Sequence, residues 1–223
     1  AAREDLWLHV DGAYGACFLL IEEGRRILSG IERADSFAID PHKGLFLPYG
    51  TGALVVRDGA ALHRAHAVLA DYMPVRQEEA DLVDFCEISP ELSKPFRGLR
   101  LWLPLQLHGV QAFRAALEEK LALARWATEE LRTIPDIEIL AEPQLSVVAF
   151  RGRPEGVEGP ALDDWNRRLL ERVNAKGRVY LSGTMLRGAF VLRICVLSFR
   201  THKERVAMGL EDLRSAVGVM TDL

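Results

Sequence analysis

Leu6, Trp7, Leu8, His9 and Val10 form a short run closed by Asp11-Gly12, which predicts a buried strand whose C-terminal end opens into a loop. From Leu19 to Ile27 and Leu28 the apolar positions take helical spacing, and the pattern stops near Gly30. Ser36 to Ile39 predicts a second strand, halted at Pro41 because the ring fixes φ and removes a ladder donor. Strand, helix and strand within roughly thirty-five residues match a βαβ crossover, so both strands are expected to end on the same sheet edge. Ala53 to Val56, after the Pro48-Tyr49-Gly50 turn, predicts an adjacent strand reached by a short connection.

Residues 69–95 mix Asp, Glu, Pro and scattered apolar side chains without a sustained period, as a long functional loop would. Beyond it, Leu99, Trp102, Leu103, Leu107, Val110, Phe113, Leu117, Leu121 and Leu131 recur three and four apart. They predict a helix pair, or one long helix interrupted near Pro104 or Gly109. Strands at 137–140 and 145–150, a helix at 162–175, a strand at 190–196 and a closing helix at 202–217 then suggest a compact α+β domain. A domain boundary is expected between residues 110 and 135. Because a parallel strand needs neighbours and this chain enters one almost at once, it is expected to be the later part of a longer protein.

Composition narrows the classes of function. Of 223 residues, 49% are hydrophobic and 27% charged, and 28 Lys+Arg against 32 Asp+Glu leave a net charge of −4. A mildly acidic chain without a basic stripe is a poor partner for nucleic acid, whose backbone is bound through clustered Lys and Arg. Apolar stretches are broken well short of the eighteen or so residues a membrane helix needs, so no membrane partner and a cytoplasmic location are expected. Cys17, Cys86 and Cys195 are widely spaced, without a CxxC pair, and are expected to be buried, reduced thiols rather than metal ligands.

The chemistry concentrates at two strand ends. Ligands in open α/β sheets bind outside the carboxyl ends of the strands, and Asp11 and Lys43 are each expected just beyond one such end, facing one cleft. They could form a salt bridge or two solvated rim charges. Alternatively the amine forms a Schiff base with an aldehyde cofactor while the carboxylate keeps a ring nitrogen protonated. Opposite charges about 4 Å apart at an effective dielectric near 20 interact by roughly 4 kcal/mol, enough to raise a pyridine nitrogen by about three pKa units and make the ring an electron sink.

The stretches His9-Val10-Asp11-Gly12-Ala13-Tyr14-Gly15, Asp35-Ser36-Phe37-Ala38-Ile39-Asp40-Pro41-His42-Lys43 and Gly52-Ala53-Leu54-Val55-Val56-Arg57 closely resemble the group II pyridoxal-phosphate-dependent amino-acid decarboxylases, the family of the aromatic-L-amino-acid, histidine, tyrosine and glutamate decarboxylases. The likeness continues through Phe96-Arg97-Gly98-Leu99-Arg100-Leu101-Trp102 and Leu192-Arg193-Ile194-Cys195, covering nearly the whole chain. It implies an α/β fold of the fold-type I, aspartate-aminotransferase-like class. Residues 1–115 would be the later part of the large parallel-sheet domain that binds pyridoxal 5'-phosphate (PLP), and residues 116–223 a linking helix and small α+β C-terminal domain.

It further implies decarboxylation of an L-amino acid to its amine and carbon dioxide, in a homodimer with the active site at the subunit interface. Lys43 would carry the cofactor as a Schiff base, Asp11 would pair with the pyridine nitrogen, Ala13 would leave room against one ring face, and His42 would lie near the cofactor. Tyr72 aligns with a mobile-loop tyrosine that delivers a proton to the substrate α-carbon. Many relatives carry Asn where this chain has Asp40, and a carboxylate beside a phosphate would be repelled, so Asp40 is not assigned to phosphate binding. Ring-stacking and phosphate-cradling residues, and the parts that select the substrate side chain, would precede Ala1. Arg193 reads as an anchor between the small and large domains, the alternative being a substrate-carboxylate site; Ser93, Arg97 and Arg100 could approach the partner subunit's site. Two alternatives share the motifs: another fold-type I PLP enzyme, such as an aldehyde lyase or desulfurase, and a fragment not catalytic by itself.

Overall fold

The computed structural model describes residues 1–67 and 83–221. Its first strand, β1 (His9–Asp11), starts three residues later than the apolar run and takes in Asp11 as its last residue rather than leaving it in the loop. The reason lies in the partner strand β2 (Ser36–Ile39), which aligns Ser36 opposite His9 and Ala38 opposite Asp11 in a parallel ladder. Ahead of that rung the backbone is held differently. Leu8 N–H donates to the Asp35 carboxylate at 2.7 Å, and the Leu8 carbonyl accepts from the Asp35 and Ser36 amides. Ser36 Oγ then accepts from the Trp7 indole N–H at 2.8 Å and bonds His9 Nδ1 at 2.7 Å.

Between these strands the expected helical stretch divides into a 3-10 segment over Ala16–Leu20 and the short helix α1 (Glu22–Ile27). After β2, Pro41 occupies the first turn of a one-turn helix, α2 (Pro41–Gly44), where its missing N–H costs nothing. Phe46, at φ 59°, ends that turn. Strand β3 (Ala53–Val56) then pairs antiparallel with β2, giving a three-stranded sheet in the order β1-β2-β3, and helix α3 (Gly59–His66) follows, capped by the Asp58 side chain.

The contacts group the chain into two units, one of Ala1–Cys17 with Leu28–His108 and the other of Phe18–Ile27 with Gly109–Leu223. Helix α4 (Gly98–Arg132) breaks at the point where one gives way to the other. Its only non-helical residue is Gly109, at φ 71° and ψ 158°, while Pro104 sits in uninterrupted helix. A left-handed φ suits glycine and penalises any residue with a Cβ.

The second unit holds an antiparallel four-stranded sheet in the order β4-β5-β7-β6, formed by β4 (Ile137–Ala141), β5 (Val147–Gly152), β6 (Ser182–Leu186) and β7 (Ala189–Cys195). Strand β6 is absent from the sequence expectation because Ser182, Gly183 and Thr184 give no apolar alternation. A two-residue turn, Arg187-Gly188, joins it to β7 with φ positive at both residues (51° and 81°), the geometry of tight hairpins. Val148, Phe150, Leu192 and Ile194 point from β5 and β7 into a core closed by Leu131 of α4, Leu169 of α5 (Gly159–Ala175) and Leu213 of α6 (Lys203–Thr221). Arg193 and Cys195 alternate to the exposed face. The cysteines therefore differ from expectation: Cys17 is buried, Cys86 partly buried and Cys195 exposed, and no disulfide joins them. Among the described residues no helix is long and apolar enough to cross a membrane.

Candidate active site at the end of the parallel strand pair

Because β1 and β2 run parallel, Asp11 and the α2 turn leave the sheet by the same edge. Ala13 ties the two exits together: its N–H donates to Asp11 Oδ1 at 3.1 Å, and its carbonyl accepts from the Asp40 amide at 3.2 Å. Gly44 permits the close seat of the α2 turn, since a Cβ there would stand 2.5 Å from Cys17 Cβ. Asp40 is thus fixed at the N-cap of a turn that carries Lys43 one helical step further on.

The direct partner of Lys43 is Asp40, with Nζ 2.9 Å from Oδ2; no ion pair joins Lys43 to Asp11. This hydrogen bond raises the Lys43 pKa above its ordinary 10.5. Partial burial works against the shift, and the fields of Asp40, Asp11 and Tyr49 reinforce it. The Lys43 side chain remains 41% exposed, so the amine is held but reachable. Asp11 is itself exposed and contributes to the site through its field.

His42 is largely buried, and its Nδ1 lies 2.9 Å from the Thr51 carbonyl. A carbonyl only accepts, so Nδ1 carries the hydrogen and Nε2 is left facing Asp40 Oδ2 at 3.8 Å. The Tyr49 ring meets the imidazole edge-on, with centroids 4.8 Å apart. Thr51, itself buried, turns its hydroxyl to the Pro48 carbonyl and so shapes the loop that holds His42. Asp40, Thr51 and Tyr49 were not singled out from the sequence as parts of this cluster. The i,i+3 spacing of Asp40 and Lys43 around an N1 proline was the available signal for the first; nothing local marked the other two.

The remaining expected residues fall elsewhere. Tyr72 lies outside the described residues. Arg97 is engaged by Glu91 through two hydrogen bonds of 3.0 and 3.1 Å, while Ser93 and Arg100 are exposed. In the second unit the Arg193 guanidinium donates to Ser182 Oγ of the neighbouring strand at 3.2 and 3.3 Å. Among the described residues no cluster could hold a metal ion.

An exposed primary amine in the field of a second carboxylate at a parallel sheet edge fits the aldehyde and the ring nitrogen of a pyridine cofactor. The family model for the pyridoxal-dependent decarboxylase conserved domain matches residues 1–153. The chain belongs to this family. Among decarboxylase relatives, an aromatic-L-amino-acid decarboxylase from Bacillus atrophaeus is 34% identical, covering 97% of this chain and 46% of the relative. Of the solved structures, the Oryza sativa TDC with PLP and tryptamine superposes with a TM-score of 0.92 at 27% identity, over 99% of this chain and 46% of that one. The Catharanthus roseus tryptophan decarboxylase in complex with L-tryptophan gives 0.85 at 30% identity, over 100% and 45%. Over the part it spans, the chain has the fold-type I architecture of these decarboxylases, and it spans about half the length of the relatives it matches.

Proposed function

We propose that the protein carrying this chain is a PLP-dependent carboxy-lyase that converts an aromatic L-amino acid into its amine and carbon dioxide. The observation that carries the proposal is Lys43 itself: a reachable amine, anchored one turn beyond the parallel sheet edge and lying in the field of Asp11. Family membership and the aromatic substrates for which the relatives are named support it.

In this reading Lys43 would hold PLP through the cofactor's aldehyde carbon, and Asp11 would face the ring nitrogen. When bound, the cofactor supplies an electron sink for the pair left behind as the substrate carboxylate departs. Asp11 would set its carboxylate against the ring nitrogen, and the Ala13 N–H orients that carboxylate. Ala13 presents only a methyl group and leaves room against a flat ring. His42, tied to the Thr51 carbonyl, cannot swing away from the site without giving up that bond. Tyr72 would hand its phenolic proton to the substrate α-carbon. Residues 1–115 would belong to the PLP-binding domain and 116–223 to the linking helix and small domain, in a cytoplasmic homodimer with the site at the subunit interface.

The test is carbon dioxide release by the full-length, PLP-reconstituted protein across the twenty amino acids. Release with tryptophan, tyrosine or phenylalanine, together with visible absorbance that disappears in Lys43→Ala, is the expected result. A full-length protein that takes up no PLP, or releases no carbon dioxide from any of the twenty, overturns the proposal.

A further inference from the structure

Asp40 stands where its carboxylate has three neighbours. Oδ2 is 2.9 Å from Lys43 Nζ and 3.8 Å from His42 Nε2, and Oδ1 faces Gly52, where a Cβ would approach to 3.1 Å. Its backbone is pinned as well: the N–H donates to the Ala13 carbonyl, while the carbonyl accepts from the Lys43 amide at 2.8 Å and from the Cys17 thiol at 3.7 Å. A carboxylate so placed can only accept hydrogen bonds, and it carries the same sign of charge as a phosphate, so its fixed partner is the cation beside it.

We propose that Asp40 is a positioning residue for Lys43, storing the amine as an ammonium in the cofactor-free protein, so that a proton must leave to solvent before the nitrogen can bond to an aldehyde. This rests on the functional reading above, in which Lys43 is the residue that captures PLP. The step balances. The ammonium gives one proton to solvent, the freed lone pair forms the C–N bond, and a second nitrogen-bound hydrogen passes to the carbonyl oxygen. A proton from solvent then lets that oxygen leave as water. The nitrogen is left doubly bonded to carbon and carrying one hydrogen and the positive charge, which Asp40 still faces. Among the described residues, the titratable groups facing this pair include Asp11 from β1, Cys17 from the 3-10 segment, His42 from α2 and Tyr49 from the loop before β3. Of these, Asp11 and Tyr49 act on Lys43 in the same sense as Asp40, and more weakly.

In the cofactor-free full-length protein, 13C reductive methylation followed by NMR titration reads the Lys43 ammonium directly, its resonance assigned by loss in Lys43→Arg. Asp40→Asn is expected to move that titration to lower pH. It is also expected to lower the pH midpoint of aldehyde capture, followed by visible absorbance, equally for pyridoxal and pyridoxal phosphate. Gly52→Ala, which crowds Oδ1 while keeping the charge, is expected to move both in the same direction by less. An unshifted titration in Asp40→Asn overturns the proposal, and so does a change confined to the phosphorylated aldehyde, which would put Asp40 beside the phosphate instead of the lysine. If the titration shifts but Lys43 of the wild-type protein captures neither aldehyde, the functional reading fails while the hold of Asp40 on the ammonium is supported.

Discussion

Gly44 is the residue on which the seat of Lys43 most directly depends. A methyl group at that position would press on Cys17 Cβ and stand 3.0 Å from Sγ, and the neighbouring backbone cannot yield without moving the α2 turn. Gly44→Ala is therefore expected to destabilise the first unit by about 1–3 kcal/mol, as overpacking of a filled site does, and to weaken PLP uptake; chemical denaturation and cofactor titration of the full-length protein check both. Cys17, on the other side of this contact, is buried, and desolvation pushes its thiol up to about 11. At pH 8 it should be silent to a thiol-disulfide reagent until the protein unfolds, whereas exposed Cys195 is the position expected to react first; quantifying labelled cysteines by mass spectrometry decides this. Tyr72 belongs to this scale too. It is legible only through family resemblance, since a tyrosine in an aperiodic loop is otherwise indistinguishable from one that packs. Tyr72→Phe is expected to keep the cofactor's absorbance and lose amine formation, and undiminished amine production would remove it as the proton donor.

Among the elements, β5 carries the tightest constraint. Asn166 in α5 is fully buried and clamps the strand's last residue from both sides, accepting from the Gly152 N–H at 2.6 Å and donating to the Gly152 carbonyl at 2.9 Å. The Trp165 ring fills the space a Gly152 side chain would need. Asn166→Ala leaves both backbone groups buried without a partner and is expected to cost about 1–3 kcal/mol for each. Gly152→Ala should destabilise through steric overlap instead, a distinction visible if Asn166→Asp retains part of the stability and Gly152→Ser retains none. The helices and strands with sustained apolar spacing were legible in the sequence: β2 and β3 fall on the expected residues, and α5 and α6 begin within three residues of theirs. Where one-dimensional pattern failed, partners decide. The ladder of β1 starts where Ser36 becomes available, not where the apolar run does, and β6 exists because β7 supplies it with an edge. The break in α4 was narrowed to two residues by composition, and backbone freedom selects glycine over proline.

For the whole chain, charge networks set the response to acid. Asp212 is buried in α6, and its carboxyl is held below the ordinary 3.8 by hydrogen bonds from Arg178, against the cost of burial, with Lys176 adding to the effect. In Glu119, burial opposes ionisation, but hydrogen bonds to His202 and Lys120 outweigh it and lower the pKa below 4.5. Lys120, fully buried, also donates to the Thr201 carbonyl at 2.6 Å. Both carboxyl groups have folded-state pKa values below their unfolded ones. Their contribution is complete above the unfolded values and lost as pH falls through the folded values. Denaturation midpoints of the second unit are expected to be flat from neutrality down to about pH 5 and to drop below about pH 4. Asp212→Asn should be less stable at neutral pH and less sensitive to acid, which urea titrations at a series of pH values measure. The chemistry of the site divides along the same lines as the fold. Asp11 and Lys43 stood out because acid and amine follow strand ends, whereas the pairing of Lys43 with Asp40 depends on how a one-turn helix closes and on what Gly52 leaves open.

One rung of the second sheet has a bearing on how such chains tolerate change in length. The β4–β5 ladder already slips its register between Ile139 and Ala141, while the opposite end is gripped by Asn166 and roofed by Trp165. A residue gained or lost beside that slip can be absorbed as a larger or smaller bulge. The same change between Phe150 and Gly152 would swap the inward and outward sides of the strand and tear it from its clamp, so natural and engineered variation in length belongs at the loose end.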